Sequence, residues 1–139
     1  KPYVEDKHVI HIGQRDAEET KKYDSQNIRD TSINCFDVES IKFKGLAKSM
    51  DEIVQIMNVN AVDGYWIHFD TDVISDTENP AVDYRVPGGL MMSEVEFILL
   101  SLLQTELIAG MSISIFNPKL DVDARVAGQL VACIAKAFH

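Results

Sequence analysis

The stretch Tyr65–Asp72, with the sequence YWIHFDTD, joins a strand pattern to a pair of acidic residues. Its first five residues are rich in aromatic and branched side chains, which predicts a β-strand over 65–69. Because side chains alternate along an extended chain, Asp70 and Asp72 are expected to point to the same side, about 7 Å apart. Two carboxylates at that separation repel each other unless a proton or a cation lies between them. The pattern therefore predicts a site for a hard divalent cation such as Mg²⁺ or Mn²⁺.

An Asp-x-Asp pair is a weak signal by itself, and a second interpretation stays open. In that alternative, Asp70 caps a turn, Asp72 is solvated and no metal is involved. His68 lies two positions before Asp70 and is expected to face the same way, which makes it a possible ligand. A histidine inside a strand is more often a core residue, so His68 is not counted among the expected ligands.

Apolar patterns on both sides of this stretch predict further strands and helices. The additional strands are predicted at 8–12, 33–36 and 111–116. The helices are predicted at 51–57 with a start upstream near Ser40 or Gly45, from an N-cap at Ser93 with Glu96 completing a capping box, and at 123–138. The segment 75–85 is a polar loop between them.

The alternation of strands and helices indicates an α/β fold of the form βαβαβαβα. Connections of this length are crossovers, so neighbouring strands should be parallel and helices should cover both faces of the sheet. The fold class predicted is a three-layer αβα arrangement around a parallel sheet, as a single domain over 1–139. So small a sheet leaves an edge open to further strands, which favours a homo-oligomer or a larger domain.

Composition excludes several classes of protein. The 139 residues carry 22 acidic and 13 basic side chains, a formal charge of −9, which disfavours binding to nucleic acid. Cys35 and Cys133 are far apart and form no CxxC motif, so a reduced, cytoplasmic protein is expected. The apolar run Phe97–Leu103 is too short to cross a membrane. The chain opens at Lys1 without an initiator Met, so an upstream segment is expected to be missing.

Motifs of other chemistries are absent from the sequence. It contains no GxSxG elbow, phosphate-binding glycine loop or dinucleotide fingerprint. Cys35 and Cys133 lie among apolar neighbours and are interpreted as core residues rather than nucleophiles. An aspartyl-phosphate phosphatase resembling the haloacid dehalogenases is a further interpretation of Asp70–Val73, although the later strand ends match its pattern poorly.

Three motifs in order resemble the ureohydrolase family, which includes arginase, agmatinase and formiminoglutamase. They are HFDTDV at 68–73 followed by PGG at 87–89, HIGQRD at 11–16, and IFNPKLD at 115–121. The resemblance implies the C-terminal half of an arginase-like domain with a binuclear manganese site to which Asp70 and Asp72 contribute. It also implies a small-molecule substrate whose guanidinium or amidine carbon is attacked by water, and a substrate contact at Glu18.

Two departures from the family pattern shape the functional hypothesis. The family's other metal ligands, a His and a DxHxD cluster, do not occur in this sequence, and Ile115 occupies the position of a Glu that pairs with the substrate. The leading hypothesis is a metal-dependent hydrolase of a linear amidine or guanidine C–N bond, active as part of a longer protein and inactive as the isolated chain. The alternative is a non-catalytic binding or assembly module of the same family.

Overall fold

The computed structural model describes residues 2–138, in which strands and helices alternate as predicted. The strands are β1 (Ile10–Ile12), β2 (Asn34–Phe36), β3 (Tyr65–Asp70) and β4 (Ile108–Ser114). The helices are α1 (Ala17–Lys22), α2 (Val38–Lys44), α3 (Leu46–Val59), α4 (Met92–Leu103) and α5 (Arg125–Ala137). The α/β class is confirmed. Within residues 2–138, every helix is too short or too polar to span a membrane.

The connection between β2 and β3 contains two helices where the sequence indicated one. Gly45 separates α2 from α3 with φ of 93°, a conformation that glycine adopts without a side-chain penalty. The first helix starts after Asp37, whose carboxylate accepts a hydrogen bond of 2.7 Å from the Ser40 backbone N–H. The two alternative starts, near Ser40 and near Gly45, therefore each correspond to a helix.

The strand pairs are parallel, as the crossover connections require. In residues 2–138, hydrogen bonds join β1 to β2 and β3 to β4, in two pairs rather than in one four-stranded sheet. In the second pair, Asp70 lies opposite Ser114. The chain divides into two compact units, Lys1–Asn60 and Ala61–His139. A single domain over 1–139 stays a prediction.

The second unit buries one side of its strand pair. Phe69 on β3 is 5% exposed, whereas Trp66 and His68, which alternate with it, are exposed. Helices α4 and α5 pack together and supply most of the buried apolar side chains of this unit. These are Val95, Ile98, Leu99, Leu102, Val126, Leu130, Cys133 and Ala137. The strand pair therefore has an apolar, buried side and a polar, exposed side.

Helix α4 begins at Met92, so the prediction of Ser93 as its N-cap is wrong. Two glutamates satisfy the first backbone donors instead. Glu94 accepts a hydrogen bond of 2.7 Å from the Met91 N–H, and Glu78 accepts one of 2.5 Å from the Met92 N–H. Because Glu78 comes from the preceding loop, the start of this helix depends on a tertiary contact and lies one residue before Ser93.

Helix α5 begins two residues later than predicted because a buried carboxylate holds its first turn. Asp121 is 8% exposed and accepts hydrogen bonds from the backbone N–H groups of Val126 (3.0 Å) and Ala127 (2.8 Å). Desolvation by burial acts to raise the pKa of Asp121. The hydrogen bonds from Ala127 and Val126 and the charge of Arg125 outweigh it, so the net pKa is lowered.

This lowered pKa makes the stability of the chain depend on pH. Ionised Asp121 stabilises the fold above its unfolded pKa of about 3.9, and this contribution is lost as the pH falls through the lower value of the folded state. We expect Asp121→Asn to lower the thermal unfolding temperature at pH 7, with the difference from wild type shrinking below about pH 4. Thermal melts from pH 7 to pH 2 measure this, with exposed Asp63→Asn as control. A difference that does not change with pH would contradict the assignment.

Candidate metal centre at the carboxyl ends of β3 and β4

The two aspartates of the predicted cation site lie on either side of a tight turn. Strand β3 ends at Asp70, and Thr71–Val73 form a 3-10 turn. The Asp70 carboxylate accepts a long hydrogen bond of 3.4 Å from the Asp72 backbone N–H. The extended geometry expected for 70–72 is therefore wrong, because the strand ends one residue before Thr71. Asp70 caps this turn, as the alternative interpretation proposed, and both aspartates are half-buried.

Thr71, between the two aspartates, is completely buried and is held from two directions. Its hydroxyl donates a hydrogen bond of 3.0 Å to the carbonyl oxygen of Ser114 on β4. Its carbonyl oxygen accepts a hydrogen bond of 2.7 Å from the Asn79 side-chain amide. The turn that carries Asp70 and Asp72 is thus tied both to the neighbouring strand and to the loop that follows it.

His68 engages serine hydroxyls with both of its ring nitrogens. Nδ1 lies 3.0 Å from Ser112 Oγ, and Nε2 lies 3.3 Å from Ser114 Oγ. Ser112 Oγ also accepts a hydrogen bond of 3.2 Å from the indole N–H of Trp66. His68 is exposed rather than part of the core, and these contacts explain its orientation without a metal.

The loop 75–85, expected to be polar and linker-like, is a packed part of the second unit. Asn79, Ala81 and Val82 are buried. Asn117, which follows β4, donates its backbone N–H to the Ala81 carbonyl (2.8 Å) and its side-chain amide to the Asp83 carboxylate (2.6 Å). No spacing or motif distinguishes Asn79 from other polar loop residues, so sequence reasoning missed its role.

The Pro-Gly-Gly motif brings the backbone close to the end of the turn. The Leu90 N–H donates to the Val73 carbonyl (2.9 Å), and the Ser75 N–H donates to the Leu90 carbonyl (2.7 Å). Gly89 has φ of 108°, and a Cβ atom there would lie 2.8 Å from Ser75 N and from Val73 O. The motif thus places glycine where a side chain would collide with backbone.

Ile115 directly follows β4 in a strained conformation. Its φ of 72° lies in the left-handed region, which β-branched residues rarely adopt, and its side chain is 48% exposed. This backbone reversal explains why β4 ends at Ser114 rather than continuing to Phe116. An apolar side chain therefore lies next to Ser114, the strand partner of Asp70.

The remaining candidate residues belong to other surroundings. Glu18 on α1 is exposed, and its carboxylate pairs with Lys21 at 2.6 Å. The hydrogen bond and the charge of Lys21 lower the pKa of Glu18, and its substrate contact stays a prediction. Burial raises the pKa values of the Cys35 and Cys133 thiols, which favours the protonated form over a thiolate nucleophile.

The donor set fits part of a metal site. Carboxylate oxygens are ligands that Mn²⁺ and Mg²⁺ accept well. Among residues 2–138, however, no group of three or more His, Cys, Asp or Glu side chains is placed to hold a metal ion. Asp70 and Asp72 can therefore supply a share of a coordination sphere, and the assignment of these two residues as ligands stays a prediction.

Fold and motifs agree with a family match that covers the chain almost completely. Residues 1–137 match the model of the Arginase family, and the chain belongs to this family. The chain is 26% identical over 137 residues to an arginase of Bacillus caldovelox, covering 99% of this chain and 44% of that protein. It is 26% identical over 118 residues to the formimidoylglutamase of Bacillus subtilis (strain 168), covering 85% of this chain and 36% of that protein.

The structural comparison gives the same result. The solved structure of the Bacillus caldovelox arginase superimposes with a TM-score of 0.86 at 26% identity, covering 99% of this chain and 45% of that one. The structure of Bacillus cereus arginase gives 0.85 at 27% identity, covering 99% and 46%. The resemblance to the ureohydrolases and the arginase-like α/β fold are confirmed. The chain spans less than half the length of the relatives it matches.

Proposed function

We propose that this chain supplies part of the manganese centre of a hydrolase that cleaves a non-peptide C–N bond in a linear amidine or guanidine. Asp70 and Asp72 are the ligands it contributes. The observation that carries this proposal is the pair of half-buried carboxylates at the carboxyl end of β3, in a member of the arginase family. In open parallel sheets, ligands bind outside the carboxyl ends of the strands, which is where this pair lies.

The chemistry assigned to the site follows from the two carboxylates and their surroundings. A bound divalent cation would supply Lewis-acid polarisation and would let water ionise near neutral pH. Asp70 and Asp72 would hold that charge, and the contacts of Thr71 with β4 and Asn79 would keep the two carboxylates oriented towards it. Glu18 is proposed as a contact to the substrate.

The number of ligands limits what the chain does alone. Two carboxylates offer at most four oxygen atoms, too few for two near-octahedral cations. We therefore propose that further ligands come from outside the 139 residues, so that the isolated chain binds metal weakly and does not turn over substrate. Assembly into a homo-oligomer is part of the same proposal, because a two-stranded sheet is marginal unless other structure covers it.

Ile115 narrows the substrate class. An isoleucine side chain cannot accept hydrogen bonds from a guanidinium, and this one is half-exposed next to the strand partner of Asp70. The site therefore lacks, at this position, the charged partner that the resemblance implies for arginine. We propose a linear amidine or related compound rather than arginine as the substrate.

A calorimetric titration of the chain with Mn²⁺ tests the metal assignment. We expect saturable binding, with weak affinity because the ligand set is partial. Ammonia or urea release from linear amidines and from arginine is then measured on a longer protein that contains this chain and the remaining ligands. Absence of Mn²⁺ binding at millimolar concentration in both forms would refute the proposal.

The second candidate function is a non-catalytic binding or assembly module. The apolar side chain at position 115 favours it, as does the lack of a third metal-ligating side chain near the aspartates within residues 2–138. It differs from the leading proposal in one measurable outcome: the longer protein would bind Mn²⁺ and release no product from any linear amidine or guanidine.

A further inference from the structure

We propose that Asn79 is a positioning residue for the Asp70–Asp72 pair, because its buried amide fixes the peptide unit that joins the two carboxylates. The inference rests on the proposed function, since it concerns the same pair. It adds a residue to the site that neither the family motifs nor the spacing of acidic residues identifies.

The contacts of Asn79 are directed at the turn. Its side chain is 1% exposed, and its Nδ2 donates a hydrogen bond of 2.7 Å to the carbonyl oxygen of Thr71. Its own backbone N–H donates to the Ser75 carbonyl at 2.9 Å, which fixes the start of the loop. The next residue back, Glu78, accepts a hydrogen bond from the Met92 N–H at the start of α4. Asn79 is therefore held on a fixed backbone while it holds the turn.

The position of Thr71 turns this contact into control of both aspartates. The Thr71 carbonyl oxygen belongs to the peptide bond that leads into Asp72, and the Thr71 hydroxyl anchors the residue to Ser114, opposite Asp70. The same carbonyl oxygen accepts a 3.3 Å hydrogen bond from the Ile74 N–H, which closes the 3-10 turn. Loss of the Asn79 donor would leave this weak bond alone to fix the peptide unit, so the direction of the Asp72 side chain would become variable.

The other half of the amide indicates that stability alone does not explain an asparagine here. Among residues 2–138, Asn79 Oδ1 has no hydrogen-bond partner although it is buried. Burying an unpaired polar atom destabilises a fold, and an apolar side chain of similar volume would avoid that cost. What an apolar side chain would lose is the donor to Thr71, which points to a role at the carboxylate pair.

The variant Asn79→Leu separates the two roles. It removes the donor and the unpaired acceptor together, so we expect a small change in thermal unfolding temperature. In contrast, we expect the dissociation constant for Mn²⁺ to rise by about tenfold or more, the range seen when a group that orients a metal ligand is removed. Calorimetric titration with Mn²⁺ and thermal melts of the metal-free chain measure the two effects. If Asn79→Leu does not fold, Asn79→Ala removes the same donor without adding volume.

Asn34→Leu is the matched control. Asn34 also donates its side-chain amide to backbone carbonyls, those of Lys7 (3.1 Å) and Val9 (3.3 Å), but it lies in the first unit. Its substitution should leave the Mn²⁺ affinity of the folded chain unchanged. If Asn79→Leu lowers only the unfolding temperature and binds Mn²⁺ like wild type, its role is structural and the inference is overturned.

Amide hydrogen exchange in the metal-free chain separates this inference from the proposed function. The Asp72 and Ile74 amides report directly on the turn. We expect their exchange to accelerate at least tenfold in Asn79→Leu and not in Asn34→Leu. If wild type binds no Mn²⁺, the proposed function fails, and this exchange alone decides whether Asn79 positions the pair. Unchanged exchange of both amides would overturn the inference whether or not the metal binds.

Discussion

Replacing Asp70 and Asp72 together by asparagine should remove saturable Mn²⁺ binding, with a loss of affinity of at least about a hundredfold. Each substitution removes a negative charge and exchanges a carboxylate for a neutral amide, which is a poorer ligand for a hard cation. The loss should exceed the 10–100-fold range seen for groups that only orient ligands, roughly speaking, because these side chains are proposed to contact the metal. Electron paramagnetic resonance of free Mn²⁺ and calorimetric titration measure the affinity.

Thermal unfolding provides a second readout for the same variant. A ligand that binds only the folded state stabilises it, by about 1.4 kcal/mol when its free concentration is ten times the dissociation constant. We therefore expect Mn²⁺ to raise the unfolding temperature of wild type and not that of the double variant. Without metal, the variant should be as stable as wild type or slightly more stable, because two neighbouring like charges have been removed.

The control for this experiment changes the charge without changing the candidate site. Asp51 on α3 and Asp63 before β3 are exposed, and their joint replacement by asparagine also makes the formal charge less negative by two. This control should keep the wild-type Mn²⁺ affinity. If both double variants lose affinity equally, Mn²⁺ responds to the overall acidity of the chain, and the assignment to Asp70 and Asp72 is refuted.

Gly89→Ala should destabilise the chain by about 3 kcal/mol, combining a left-handed backbone penalty of about 1–2 kcal/mol with steric overlap. The added Cβ would lie 2.8 Å from Ser75 N and Val73 O and 2.9 Å from Ile74 C. All three are backbone atoms, so the overlap cannot be relieved by a rotamer change. Because this segment continues from the Thr71–Val73 turn, Mn²⁺ affinity should fall as well. Urea unfolding gives the free energy of unfolding.

Gly88→Ala is the control for the steric part of this effect. Gly88 also has positive φ, 85°, but a Cβ atom there would have no atom within 4 Å. We expect it to cost only the backbone penalty of about 1–2 kcal/mol. Equal losses for the two variants would show that conformation alone, and not the close approach of 73–75, makes glycine necessary in this motif.

Local sequence patterns determined the elements that carry the candidate site. The strand before Asp70 ends where the aromatic and branched residues end, and the parallel arrangement follows from the length of the connections. Gly45 indicated a helix start, although not that a separate helix precedes it. These features depend on residues that are close in sequence, which is why a single sequence is enough to predict them.

Tertiary structure decided the geometry of the site, because its contacts join residues that are distant in sequence. Thr71 is anchored by Ser114, 43 positions later, and His68 is oriented by Ser112, 44 positions later. The 3-10 turn over 71–73 replaced the extended pair expected from alternation. Hydrogen bonds of this kind depend on which strand lies next to β3, and no local pattern contains that information.

The same distinction explains the difference at α4 and at Asn79. Ser93 and Glu96 formed a sound capping pattern, but Glu78 from the preceding loop satisfied the donor of Met92 and set the start of the helix one residue before Ser93. In that loop the sequence determined only polarity, whereas folding buried Asn79 against Thr71. Local propensity thus established where strands and acidic residues occur, and packing established which groups hold them, because a buried polar group takes its partner from whatever the fold brings next to it.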